Sequence, residues 1–78
     1  VMSLEVVGRD ELAIATNITS LIRKESGVKL RSYSIQSKDG LFHGSFVLYV
    51  ERREALTVLL KKIRSASGVK HAELAFRL

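Results

Sequence analysis

Along the first stretch of the chain, Met2, Leu4 and Val6 alternate with Ser3, Glu5 and Val7, the two-residue period of a half-buried strand. The period then lengthens. Ile14, Ile18, Leu21 and Ile22 recur at helical spacing, and Asp10 stands where an N-cap residue is wanted. Residues 28–37 return to a strand pattern, Lys38-Asp39-Gly40 supplies the Asp-Gly that a tight hairpin prefers, and residues 41–50 form a third strand. Leu56, Leu59, Leu60 and Ile63 mark a second helix starting near Arg53, with no Ser, Thr, Asp or Asn in front to cap it. Ala72, Leu74, Phe76 and Leu78 predict a fourth strand.

The chain carries its own repeat. Ile22-Arg23-Lys24-Glu25-Ser26-Gly27-Val28-Lys29 returns 41 positions later as Ile63-Arg64-Ser65-Ala66-Ser67-Gly68-Val69-Lys70, six of eight residues identical. Each copy ends a helical pattern and opens a strand, so each glycine is expected at a helix C′ position with positive φ. Two copies make a duplicated supersecondary unit, not a solenoid. The order βαββαβ, two βαβ halves joined by a hairpin, predicts an α+β ferredoxin-like sandwich: a four-stranded antiparallel sheet with both helices on one face. In the expected strand order 4-1-3-2 the second strand is an edge. Its stretch Ser32-Tyr33-Ser34-Ile35-Gln36-Ser37 is uncharged and free of proline, which invites pairing with another strand. A homodimer through this edge is the expectation.

Composition narrows the classes. Seventy-eight residues make one small domain, burying only about 60% of its unfolded surface. A hydrophobic content of 46% and a charged content of 27% fit a globular chain and not a disordered one. The absence of cysteine excludes disulfides, thiolate metal sites and a cysteine nucleophile. No apolar run approaches the roughly 18 residues of a membrane span, and the N-terminus lacks a signal-peptide layout, so no membrane partner and a cytoplasmic location are expected. Because the sequence opens in mid-strand, residues 1–78 are expected to be a single domain cut from a longer protein. The net charge of +5 gathers at Arg23-Lys24, Arg52-Arg53 and Lys61-Lys62-Arg64. Each group lies beside or within a helical pattern, where charge is ordinarily the solvated face; an RNA or acidic-protein contact is the alternative.

Candidate chemistry is sparse. The two histidines, His43 and His71, fall on different strands, no pair has metal-ligand spacing, and no serine stands in a nucleophile elbow. Asp39 is accounted for by the hairpin turn and Glu25 by its place near a helix end. The glycines Gly8, Gly27, Gly40, Gly44 and Gly68 are too scattered for a phosphate cradle, and Gly44 inside a strand marks a bulge or a close backbone approach. No catalytic residue, metal or cofactor is expected. RNA-recognition motifs share this topology and stack bases on aromatics of the central strands. Phe46-Val47-Leu48-Tyr49 matches the tail of that signature, but Gly44 sits where the first stacking ring belongs and Glu5 puts a carboxylate on the first strand. What remains is the first strand-to-helix turn, Gly8-Arg9-Asp10-Glu11-Leu12-Ala13-Ile14, whose N–H groups either hold an acid or simply open a helix.

Those residues resemble the ACT domain, a βαββαβ regulatory family of about this length. Its hallmark first turn, Asp-Arg-x-Gly-Leu, is matched by Asp10-Glu11-Leu12-Ala13-Ile14, and its helical Asp-Ile-Thr by Asn17-Ile18-Thr19. Lys38-Asp39-Gly40-Leu41 after the second strand and the closing Ser67-Gly68-Val69 look most like the C-terminal ACT domain of RelA/SpoT-type proteins, the GTP pyrophosphokinases that make and hydrolyse (p)ppGpp. The resemblance implies a non-catalytic regulatory and dimerising domain. It would relay starvation signals through the parent's other domains, the ribosome or a regulatory protein, with the alarmone active sites elsewhere in that parent.

In many ACT domains a small effector, often an amino acid, sits between protomers against the first turn of one and the second strand of its neighbour. Carried over, that selects Asp10, Glu11, Leu12 and Ala13 on the turn and Arg31, Ser32, Tyr33 and Ser34 on the strand. Ala13 replaces the family glycine and narrows backbone approach; Glu11 replaces the family arginine and sets an acid before an effector carboxylate. Both changes act against amino-acid binding. An amino-acid-sensing ACT domain of a biosynthetic enzyme is the alternative reading, and a small RNA-binding module the third.

Overall fold

The computed structural model describes residues 2–76. Its elements are β1 (Met2–Arg9), α1 (Leu12–Lys24), β2 (Val28–Lys38), β3 (Leu41–Val50), α2 (Arg53–Ser65) and β4 (Val69–Phe76). The four strands form one sheet in the order β2-β3-β1-β4, every neighbouring pair antiparallel. This is the expected ferredoxin-like sandwich. The second helix begins at Arg53 and β3 spans 41–50, both as the periodicity predicts. Leu78, assigned to the last strand from the pattern, lies outside the described residues. The hairpin closes on Asp39 and Gly40 with φ of 54° and 76°, the double positive φ of a type I′ turn. Among the described residues no helix is long and apolar enough to cross a membrane.

Three expected helix ends are corrected. Asp10 is not the N-cap of α1: Glu11 holds that position in an extended conformation, and its side chain makes no cap bond. Asp10 instead accepts a 3.0 Å hydrogen bond from Ser37 Oγ, 27 residues away. Gly27 and Gly68 do take positive φ, 87° and 86°, but not at C′. The helices are capped at Glu25 and Ala66. Each glycine stands two residues further on, as the third residue of a β-turn closed by the N–H of Val28 on Glu25 O or of Val69 on Ala66 O. Positive φ at that position is the requirement of a type II turn.

The repeat has a structural purpose. The Arg9 N–H donates to Gly68 O at 3.0 Å, and the Glu51 N–H donates to Gly27 O at 2.8 Å. A side chain on Gly68 would run into Ile14, and one on Gly27 would meet Arg52 and Ala55. Each glycine turn therefore packs on the start of the other half's helix. Neither helix has a side-chain cap; the opposite half pins each entrance instead.

The core lies between the helices and one sheet face. Ile14, Ile18 and Ile22 of α1 and Ala55, Leu59 and Ile63 of α2 are buried over Leu4, Val6, Phe42, Phe46 and Leu48 of the two central strands. Gly44 belongs to this face as a close approach, not a bulge: a Cβ there would sit 2.7 Å from the Phe46 ring. The bulges lie elsewhere, in β2 between Leu30 and Ser32 and in the β1–β4 ladder at Val7/Gly8. In β2 the extra residue is Arg31. It resets the alternation, so that Tyr33 and Ile35, opposite Phe46 and Gly44, fall on the helix side. The other face carries Ser3, Glu5 and Val7 of β1 in register with Val47, Ser45 and His43 of β3, with Tyr49 opposite Lys29 of β2, and bears no helix.

Candidate functional site

The first turn joins β1 to α1 and is largely satisfied from within. Besides the Arg9 bond to Gly68, the Asp10 N–H donates to Gly40 O at 3.0 Å and the Glu11 N–H to Arg9 O at 2.8 Å. The Ile14 and Ala15 N–H groups return to Glu11 O. Leu12 and Ala13 are thus the turn amides with no partner among the described residues. Both residues are exposed, Leu12 at 85%. Glu11, also exposed, stands immediately beside them. Two free amides at a helix start attract an acid, and the adjacent carboxylate opposes it.

Arg31, Ser32, Tyr33 and Ser34 are exposed on the β2 edge. Arg31 is the bulged residue, and Ser32 and Ser34 belong to the helix-free side. Tyr33 stacks on Phe46 with ring centroids 6.0 Å apart while remaining half exposed. Within one chain the two predicted groups do not meet. The β2 residue bonded to the turn is Ser37, and Ser34 lies about 10 Å back along the strand. A shallow groove of about 430 Å³ holds Tyr33 with Thr16, Thr19, Ser20, Arg23 and Lys24, whereas Leu12 and Ala13 line a separate one with Thr16, Asn17 and Ser20. Thr16 and Ser20 border both.

Three features lie outside the sequence expectations, and only the first has a signal in the periodicity. The reset at Arg31 was visible as a change of apolar parity, from Val28 and Leu30 to Tyr33 and Ile35. Glu5 is not a bare charge: its Oε2 accepts hydrogen bonds from Ser3 Oγ at 2.7 Å and Ser45 Oγ at 2.8 Å, on the helix-free face. Arg64 reaches the β4 backbone, with Nε and Nη2 donating to Ala72 O at 3.1 and 3.0 Å. The RNA-recognition match is overturned by position, since Phe46 is fully buried under the helices and cannot stack a base. Among the described residues no three metal-ligating side chains come together.

Comparison with known proteins agrees with this geometry. The ACT domain family matches residues 1–73. The guanosine-3′,5′-bis(diphosphate) 3′-pyrophosphohydrolase of Aquifex aeolicus is 33% identical over 67 residues, 86% of this chain but 10% of that protein. The chain therefore spans about one tenth of that relative's length. The crystal structure of the ACT domain from the GTP pyrophosphokinase of Chlorobium tepidum superposes with a TM-score of 0.84, 28% identity and 95% coverage of both chains. An ACT domain protein from Streptococcus pneumoniae shares the fold at a TM-score of 0.72 and 21% identity, covering 95% of this chain and 85% of its own. The chain belongs to the ACT domain family and resembles the ACT domains of RelA/SpoT-type GTP pyrophosphokinases and guanosine bis(diphosphate) hydrolases.

Proposed function

We propose that this chain is the non-catalytic regulatory domain of a cytoplasmic RelA/SpoT-type enzyme, and that it dimerises through the β2 edge. In this role it passes starvation signals to alarmone-making and alarmone-hydrolysing domains elsewhere in the parent, through contacts with those domains, the ribosome or a regulatory protein. The observation that carries the reading is the edge itself. Every residue of β2 from Arg31 onward is exposed, and among the described residues no side chain bonds to a β2 backbone group. Tyr33 and Ile35 add apolar surface beside it, 50% and 36% exposed. A ladder of unpaired backbone groups flanked by apolar side chains fits strand addition by a second copy. Dimer formation would also draw the turn residues Asp10, Glu11, Leu12 and Ala13 of one protomer toward Arg31, Ser32, Tyr33 and Ser34 of its neighbour, which a single chain keeps apart.

Sedimentation over a concentration series tests the interface. The wild-type chain is expected to pass from monomer to dimer, and Ile35→Lys, which sets like charges against each other across the edge, is expected to remain monomeric with an unchanged circular dichroism spectrum. A wild-type monomer at high micromolar concentration overturns the dimer. Calorimetric titration with the twenty amino acids separates relay by contact from effector sensing. Saturable binding of one of them favours the amino-acid sensor, against the exposed Glu11 that stands at the turn.

A further inference from the structure

A four-stranded sheet has two edges, here β2 and β4, and side chains treat them differently. β4 is paired to β1 on one side. On its backbone sits the guanidinium of Arg64, from the last turn of α2, which gives two hydrogen bonds to the carbonyl of Ala72 near the middle of the strand. The register slip at Val7/Gly8 leaves Lys70 as the unpaired extra residue of β4. A cation in a bulge and a side chain bonded to an edge carbonyl are both devices that discourage strand addition. The repeat supplies an internal control. Arg23 is the counterpart of Arg64 in the first half, yet among the described residues its guanidinium bonds to no β2 backbone group. It lines the groove beside Tyr33 instead. The same arginine covers one edge and leaves the other bare.

The difference matters because of symmetry. Two copies joined β2 to β2 use up their open edges and close as a dimer, whereas a sheet with two open edges can add copies without end. We propose that Arg64 is an edge latch: it closes β4 to a second copy of this chain, so that self-association by strand pairing is confined to β2 and stops at two. The upper limit of two rests on the β2 dimer proposed above; the latch on β4 does not.

Sedimentation velocity on four variants, beside the wild-type chain and Ile35→Lys, separates these statements. Arg64→Ala is expected to assemble beyond the dimer, with mass rising with concentration and association through β4 strengthened about tenfold or more. Arg64→Lys keeps the charge but not the fork and is expected to shift in the same direction by less. The double variant Ile35→Lys/Arg64→Ala has only β4 to pair with and is expected to dimerise where Ile35→Lys alone stays monomeric. Arg53→Ala, an equal change of charge on the same helix, is expected to leave the mass unchanged. Folded Arg64→Ala and Arg64→Lys chains with wild-type mass throughout the series overturn the latch. A wild-type monomer overturns the β2 dimer while leaving the latch readable as the step from monomer to dimer in Arg64→Ala.

Discussion

Gly27 and Gly68 hold equivalent places in the two halves, with the same left-handed backbone and the same backbone bond to the opposite half. Their surroundings differ in one respect. A Cβ on Gly68 would run into Ile14 Cδ1, inside the core side chain, whereas one on Gly27 would stand 3.0 Å from the flexible Arg52 side chain and 3.1 Å from the small Ala55. Ile14 and Ala55 are themselves counterparts in the repeat. The duplication preserved the turn and let the packing against it diverge. What it preserves is therefore backbone conformation, and what it leaves free is the volume around it.

Substitutions sharpen that contrast. Gly68→Ala combines a strained φ with overpacking and is expected to cost about 3 kcal/mol, a fall of roughly 12–24 °C in Tm for a domain of this size. Gly27→Ala incurs mainly the φ term and is expected to cost about 1–2 kcal/mol. Thermal unfolding of the two variants side by side checks the order. Equal losses would mean that Ile14 moves aside freely and that the packing difference carries no energy. The side-chain ties at the two turns are the smallest terms. Ser37 bonds Asp10 at the first turn, and Lys29 pairs with Glu51 at 3.6 Å near the second. Ser37→Ala and Lys29→Ala are each expected to change stability by no more than about 0.5 kcal/mol by denaturant titration, since both ties are exposed.

Features with a local signal are legible in the sequence. Asp39-Gly40 can form a tight hairpin whatever surrounds it, and the apolar spacing of both helices survives because each lays one stripe on the sheet. Features whose partner is distant in sequence are not. Asp10 looks like a cap because it precedes a helix, but Ser37 takes its carboxylate. Arg64, grouped with Lys61 and Lys62 in a helical pattern, reads as a solvated helix charge, and it is exposed, but its fork also bonds Ala72 O. The candidate site is half legible for a related reason. Its turn and strand can be picked out residue by residue, but one chain holds Tyr33 and Leu12 in separate grooves. In the dimer proposed above they would meet only across two copies, an arrangement that no single sequence describes.

The crossed pins at the helix entrances bear on how the chain acquires its structure. The Arg9 amide waits for Gly68, and the Glu51 amide for Gly27. The β2–β3 hairpin is local and free to zip early. The starts of α1 and α2, uncapped on their own, gain these backbone partners only when the opposite half is in place. Folding should therefore run as a single cooperative transition, with neither βαβ half persisting as an independent unit that unfolds at its own free energy.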